Sequence, residues 1–397
     1  MTASVFDPAN PAALCSPSAL YERAKQAVQY AQADRQGQGG QIPVAHYRCP
    51  ERFAQERQLL RQHPQAVVAS SDVPQPGSWL SLTRMGTPLL LVRQTDGSLR
   101  AFLNVCRHRG ARVVAEGAGD QARGFSCPYH AWTYQADGAL RGVPQAEGFG
   151  DLCQEDSGLR RLACHEAAGL VWVVLDPEQQ AQDIASTLGP LMQDLCALAG
   201  LQSPLGYAPR SYEVAANWKL LVDGSFEAYH FKIAHQKTIA AMFAGNVQLV
   251  DEAGLNRRLY LLKANFAREQ PAQPDFEPRQ YGNLTYFFFP ASTMLVQPDH
   301  AQFSWLEPLA PDRTRVHEIT LLPQAPSTEK AEKYWQANVD LYRRTLAEDY
   351  ALAESIQQGL ASGANDAFRY ASFEYAIGRF HAQLQQALEN SNKKAKK

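Results

Sequence analysis

An α+β protein in two main parts, a small all-β domain followed by a larger mixed one, is what this sequence predicts. Three observations carry that reading. Between Ile42 and Pro177 the chain is a succession of short apolar β-type runs broken by turn signals; beyond Pro177 strand-like runs alternate with helical periodicities; and a helical stretch of about two turns or more precedes both.

Taken in order, Ser18 to Gln36 spaces Leu20, Ala24, Ala27, Val28 and Ala31 for one helical face, and Gln36-Gly-Gln-Gly-Gly-Gln41 ends it, which marks residues 1–42 as an N-terminal helical arm. Residues 43–177 hold Ala66–Ala69, Trp79–Leu82, Pro88–Val92, Leu99–Phe102 and Leu170–Leu175, with Asp96-Gly97 and Asp137-Gly138 supplying the positive φ of tight turns. Residues 178–397 combine a helix over Ala185–Ala199, strands at Arg257–Ala264, Leu284–Phe289 and Arg315–Leu322, a long amphipathic helix from Thr328 to about Leu360, and a closing helix from Phe373 to Leu388. The aromatic run Tyr281–Pro290 reads as a buried central strand, with a cage for a flat or cationic substrate as the alternative.

Composition bounds the function. With 397 residues and 45% hydrophobic content the chain can bury a large core, and 38 basic against 40 acidic residues give no field that selects nucleic acid or an anionic membrane. No segment reaches the ~20 apolar residues of a membrane span and the first twenty positions lack a signal pattern, so the expected location is cytoplasmic. The basic end, Lys393 to Lys397, reads as a solvated tail. Seven scattered cysteines suggest reduced thiols with some serving as metal ligands; Cys15, Cys49, Cys153, Cys164 and Cys196 are read as small apolar side chains.

Cys106-Arg-His108 and Cys127-Pro-Tyr-His130 are two Cys/His pairs separated by 18 residues. Thiolates and imidazoles paired on two loops suit a metal centre, since each loop presents two ligands to one side of it. The order lets two sulfurs hold one iron and two imidazoles the other, the Rieske [2Fe-2S] arrangement, whose neutral nitrogen ligands raise the potential. A Cys2His2 structural zinc site uses the same ligand types and is the alternative.

A second constellation follows at Asn217-Trp-Lys through Glu227-Ala-Tyr-His230 to His235. If the segment after Leu220 is helical, Glu227 and His230 fall on adjacent turns of one face. Two histidines five apart say little by themselves.

Phe102-Leu-Asn-Val-Cys106-Arg-His108-Arg-Gly110, Cys127-Pro-Tyr-His130-Ala-Trp132 and the Asn217 to His235 string, in that order, resemble the cluster loops and iron motif of the Rieske non-haem iron oxygenases, over nearly the whole chain from Pro43 to Leu388. The cluster gap is slightly longer than the family's usual range, and the extra length is placed in a turn at Glu116–Asp120. The resemblance implies a [2Fe-2S] domain and a helix-grip-like antiparallel catalytic domain. It also implies a mononuclear Fe(II) held by His230, His235 and a later carboxylate in a facial triad. Asp349 resembles the family's late-helix Asp, with Glu348 and Glu354 as fallbacks. The chain is then an oxygenase terminal component: a separate NAD(P)H-dependent reductase, with or without a ferredoxin, reduces the cluster, and dioxygen is used to oxidise a small organic substrate.

In most relatives the acid three residues before the first iron histidine is Asp, and it bridges the metal sites of neighbouring subunits in a ring-like homotrimer; here it is Glu227, expected to face His130 of the next chain. Glu at this position is frequent in Rieske enzymes acting on quaternary ammonium compounds, a hint of such a substrate; the expected reaction is hydroxylation or oxidative dealkylation of a small organic molecule, a quaternary amine or an aromatic acid. Cis-dihydroxylation of an aromatic ring is the competing chemistry, and an electron-transfer protein without an oxygenase site the competing class. Asp223, Asn in many relatives, either adds negative potential near the iron or is a solvated or helix-capping side chain.

Overall fold

The computed structural model describes residues 17–29, 37–150, 152–153, 155–199 and 204–395, and divides into two compact units, residues 60–187 with 203–206, and residues 1–59, 188–202 and 207–397. Residues 43–59, which the sequence assigns to the cluster domain, thus belong with the larger unit, and residues 178–187, assigned to the catalytic domain, with the smaller; Ala45–Arg48 and Pro50–Arg61, the latter running across the boundary, are helical rather than β.

The strands of the smaller unit pair antiparallel, with short 3-10 turns between them. A five-stranded sheet runs in the order Arg161–Leu162, Leu99–Leu103, Thr87–Arg93, Trp79–Arg84, Gly117–Gly119; three strands, Cys164–Ala167, Leu170–Val173 and Gln65–Ala69, form a second; Gly124–Ser126, Thr133–Gln135 and Leu140–Gly142 form a third. Both anticipated Asp-Gly turns are present: Gly97 and Gly138 have φ of 83° and 90°, and the Asp96 and Asp137 carboxylates accept from the amides of Ser98 and Ala139 at 2.9 and 3.0 Å. Gly138 is doubly required, because a Cβ there would lie 2.4 Å from the Phe102 ring. The Glu116–Asp120 insertion is not a free turn: Gly117–Gly119 pairs with Trp79–Ser81, since Glu116 accepts from Thr83 at 2.5 Å and Asp120 from Ser78 at 2.8 Å, fastening both ends to the sheet.

The larger unit is built on a seven-stranded antiparallel sheet in the order Leu205–Val214, Arg313–Leu322, Ala301–Ala310, Ser292–Val296, Gly282–Phe288, Asn256–Lys263, Phe243–Ala253. Four of these, Leu205–Val214, Phe243–Ala253, Ser292–Val296 and Ala301–Ala310, were not expected from the sequence. Gly282–Phe288 is buried along its whole length, as the central-strand reading predicts. The N-terminal helix spans Pro17–Gln29 and is tied to this unit by Arg23 to Asp251 at 2.6 Å; residues 30–36 of the expected helix, and Cys15, lie outside the described residues. Glu329–Leu360 is the long helix, opened by the Thr328 hydroxyl accepting from Ala331 N at 3.1 Å, and Tyr375–Ala395 closes the chain. The Ile184–Ala199 helix is kinked at Gly189, φ 65°, before Pro190. Among the described residues no helix is long and apolar enough to cross a membrane.

Asn217-Trp-Lys proves to be a structural anchor. Asn217 caps the Trp218–Gly224 helix, accepting from Lys219 N at 3.0 Å, while Glu56, fully buried, takes the Trp218 indole N–H at 3.0 Å and the Lys219 ammonium at 2.5 Å. Burial pulls the Lys219 pKa down despite the opposing Glu56 charge. Removing one partner strands the other's charge in the core, so Glu56→Ala is expected to cost about 3–5 kcal/mol in urea unfolding, more than Arg315→Ala at an exposed pair.

Candidate metal centres

In the smaller unit the cluster motifs fold as twin loops. Cys106 N donates to Ala111 O and Gly110 N to Cys106 O at 2.8 and 3.0 Å; Cys127 N donates to Trp132 O and Ala131 N to Cys127 O at 2.8 and 2.9 Å. In each loop the fourth residue after the cysteine is left-handed, Gly110 with φ 76° and Ala131 with φ 56°. The two loops bring the His108 and His130 rings to 4.6 Å between centroids, and His108 stacks on Trp132 at 5.1 Å.

Both thiols are buried, and the Nδ1 atoms of His108 and His130 are buried without a hydrogen-bond partner. Two orphaned imidazole nitrogens beside two buried thiols fit a [2Fe-2S] group ligated by two sulfurs and two nitrogens, because such atoms are costly to bury unless something binds them. Tyr134, which sequence reasoning missed, accepts from Arg107 N at 2.9 Å and so points its hydroxyl hydrogen at Cys106 Sγ, 3.3 Å away; burial and this sulfur contact push its pKa up. Such a donor to a ligand sulfur raises a cluster's potential. Only its place two residues beyond Trp132 could have signalled it.

In the larger unit the helix expected to carry Glu227 and His230 ends at Gly224, and the acid and histidine sit instead on the following turn. Glu227 accepts there from the backbone N–H groups of Tyr229 and His230, the latter at 3.1 Å, and from His230 Nδ1. His235 follows the short Phe231–Ala234 helix, and its Nδ1 donates to Glu348 at 2.9 Å, while Thr238 donates to the same carboxylate at 2.6 Å.

With both Nδ1 atoms so held, the Nε2 atoms of His230 and His235 meet Asp349 Oδ1 at 3.4 and 3.1 Å, and the three ligand atoms lie within 4.8 Å of one another. Burial opposes a charged His230, yet hydrogen bonds with Asp349 and Glu227 prevail and lift its pKa to about 10. Burial likewise opposes an ionised Asp349, and the two imidazoles outweigh it. Two nitrogens and one oxygen converging in an acid-rich site fit a divalent iron with open positions.

Of the two fallbacks, Glu348 orients His235 rather than joining the triad, and Glu354 accepts from Ala215 N at 2.9 Å. Asp223 is neither solvated nor a cap: its carboxylate accepts from the Tyr47 hydroxyl at 2.6 Å and from His381 Nε2 at 3.0 Å. The other cysteines differ among themselves. Cys153 and Cys196 are exposed, Cys49 donates to Glu51 at 3.1 Å, and burial pushes the Cys164 thiol up to about 12.

The triad opens on a cavity of about 470 Å³ between the sheet and the long helix, lined chiefly by apolar side chains such as Leu220, Phe243, Leu295 and Leu346.

The family of the Rieske [2Fe-2S] domain matches residues 63–162, and that of the ring hydroxylating alpha subunit catalytic domain matches residues 203–390. The carnitine monooxygenase oxygenase subunit of Acinetobacter baumannii is 28% identical over 328 residues, 81% of this chain and 85% of its own length. The large oxygenase component of a Pseudomonas aeruginosa naphthalene 1,2-dioxygenase system is 35% identical over 196 residues, 46% of this chain and 43% of its own. A crystal structure of a quaternary ammonium Rieske monooxygenase shares the fold, with a TM-score of 0.75 and 22% identity over 88% of this chain and 96% of the other.

Because Glu348 holds His235 Nδ1 and lies outside the converging set of His230, His235 and Asp349, Glu348→Ala is expected to weaken Fe(II) binding about 10–100-fold, read by metal titration, and to leave the cluster's visible spectrum unchanged.

Proposed function

We propose that this chain, which belongs to the Rieske non-haem iron oxygenases as a catalytic alpha subunit, hydroxylates or oxidatively dealkylates a small quaternary amine. The observation that carries the substrate reading is Glu227, the longer acid at the position before the iron histidine, on a chain aligned along most of its length with an enzyme named for carnitine. As an oxygenase subunit of a multicomponent system it draws electrons from a separate reductase.

Cys106, Cys127, His108 and His130 would hold the cluster and His230, His235 and Asp349 the iron, a set supported by the orphaned Nδ1 atoms and by the convergence of the triad. When bound, these groups supply one-electron storage and dioxygen activation. The protein's own part is positional. Glu227 and Glu348 hold the imidazoles in the tautomer that leaves Nε2 free, Asp349 completes the face, and the apolar cavity excludes water from the reacting side.

Glu227 holds His230 on one side and is proposed to meet His130 of a neighbouring subunit on the other, in a homotrimer. Tyr229, whose amide donates to this carboxylate, is 62% exposed, Ile233 on the short helix that follows is 75% exposed, and Tyr129 is exposed beside His130; large side chains left bare near both metal centres support a covering subunit there. The naphthalene-dioxygenase match favours a second reading, cis-dihydroxylation.

Turnover under labelled dioxygen, with a Rieske reductase and a panel of quaternary amines and aromatics, decides between them. Labelled alcohol or an aldehyde released from an amine is the expected result; a doubly labelled cis-diol replaces the first reading with the second. Glu227→Gln is expected to keep the cluster spectrum and the iron content while abolishing turnover, and an active mutant removes Glu227 from the electron route.

A further inference from the structure

The cavity beside the triad is not uniformly apolar. Part of its lining is formed by Tyr47 and Phe368, whose rings lie 5.3 Å apart, with the Asp223 carboxylate held by the Tyr47 hydroxyl at 2.6 Å. The Tyr47 hydroxyl and His381 Nε2 hold the two oxygens of Asp223 at 2.6 and 3.0 Å; behind them the buried ammonium of Lys219, 5.7 Å from the Tyr47 ring, shares the Glu56 carboxylate with Arg52 at 2.5 and 2.9 Å. Among the described residues lining the cavity the only arginine or lysine is Arg369, which is exposed.

A second observation comes from the sheet wall of the same cavity. Asn283 is 8% exposed, and its Oδ1 is buried with no hydrogen-bond partner. An unmet amide oxygen costs about 1–3 kcal/mol and is retained where a ligand group satisfies it. Thr285, two residues on along the strand, presents a hydroxyl to the same space.

We propose that the Tyr47–Asp223–Phe368 part of the cavity lining is the subsite for the substrate's quaternary nitrogen, with Asp223 as the anion that selects a cation, and that Asn283 receives an uncharged polar group of the same molecule. The inference rests on the quaternary-amine reading and deepens it. A trimethylammonium head has no N–H to donate, so it is recognised by charge and by aromatic faces, both of which this part supplies. The sheet wall supplies an amide and a hydroxyl and no buried cation, which suits an alcohol better than a carboxylate.

The test is calorimetric binding to the holoenzyme of choline, of its neutral carbon isostere 3,3-dimethyl-1-butanol, and of ethyltrimethylammonium, which lacks the hydroxyl. Wild type is expected to bind choline more tightly than both analogues. Asp223→Asn should weaken choline at least about tenfold while changing the isostere little. Asn283→Leu should erase a roughly five- to tenfold preference for choline over ethyltrimethylammonium. Unchanged cluster absorption and iron content in each variant show that the centres are intact. Wild type that binds no quaternary cation, choline and the betaines included, overturns the functional reading and this inference together. Choline affinity unaltered by Asp223→Asn overturns the inference alone, as does a wild type that binds choline and its isostere equally.

Discussion

Two carboxylate–imidazole hydrogen bonds set the chemistry of the larger unit. Left alone, an imidazole can present either nitrogen; with Glu227 on His230 Nδ1 and Glu348 on His235 Nδ1, each ring turns its Nε2 toward Asp349. The framework exists to bring these groups together from distant parts of the chain. Asn217 and Glu56 fix where the helix carrying Asp223 begins, Gly224 ends it, and the turn beyond carries Glu227 and His230. The long helix then offers Glu348 and Asp349 at consecutive positions, one to orient and one to complete the triad. That an adjacent pair of acids can divide these roles follows from helix geometry, since neighbours project about 100° apart.

The smaller unit solves a related problem by repetition. Two loops of matching hydrogen-bond pattern each turn on a left-handed residue and present a cysteine and a histidine to one point. The strands beneath make those loops rigid, and Trp132 and Tyr134, from the segment leaving the second loop, reach back to His108 and Cys106 of the first. The site is thereby laced across both loops, with the Tyr134 hydroxyl set against the Cys106 sulfur at 3.3 Å.

Much of this was legible because metal chemistry restricts residue type and spacing. Cys106-x-His108, Cys127-x-x-His130 and the string ending at His235 are local in sequence, and the Asp-Gly turns and the long amphipathic helix announce themselves by composition. What stayed hidden depends on tertiary contacts. Ala301–Ala310 carries Gln302, Ser304, Glu307 and Pro308, a poor strand by pattern; its polar groups are met only in the sheet, Gln302 by Thr320 at 2.7 Å and Glu307 by His317 at 3.1 Å, and the pairing shifts register after Pro308. Glu348 looked like a spare ligand because its partner lies 113 residues away. Asp223 looked like a solvated or capping side chain because Tyr47 and His381 approach from opposite ends of the sequence. The helix projected through Glu227 failed at Gly224, where the acid's side chain turns back onto its own loop amides instead of continuing a ladder.

The central claim, that His230, His235 and Asp349 form an iron site separate from the cluster, is tested most directly by metal and acid-labile sulfide analysis of the purified chain beside its Asp349→Ala variant. The account predicts three irons and two sulfides per chain in the first, from one [2Fe-2S] cluster and one mononuclear iron, and two irons with two sulfides and an unchanged cluster spectrum in the second. A variant that keeps its third iron, or that loses iron and sulfide together, would contradict it.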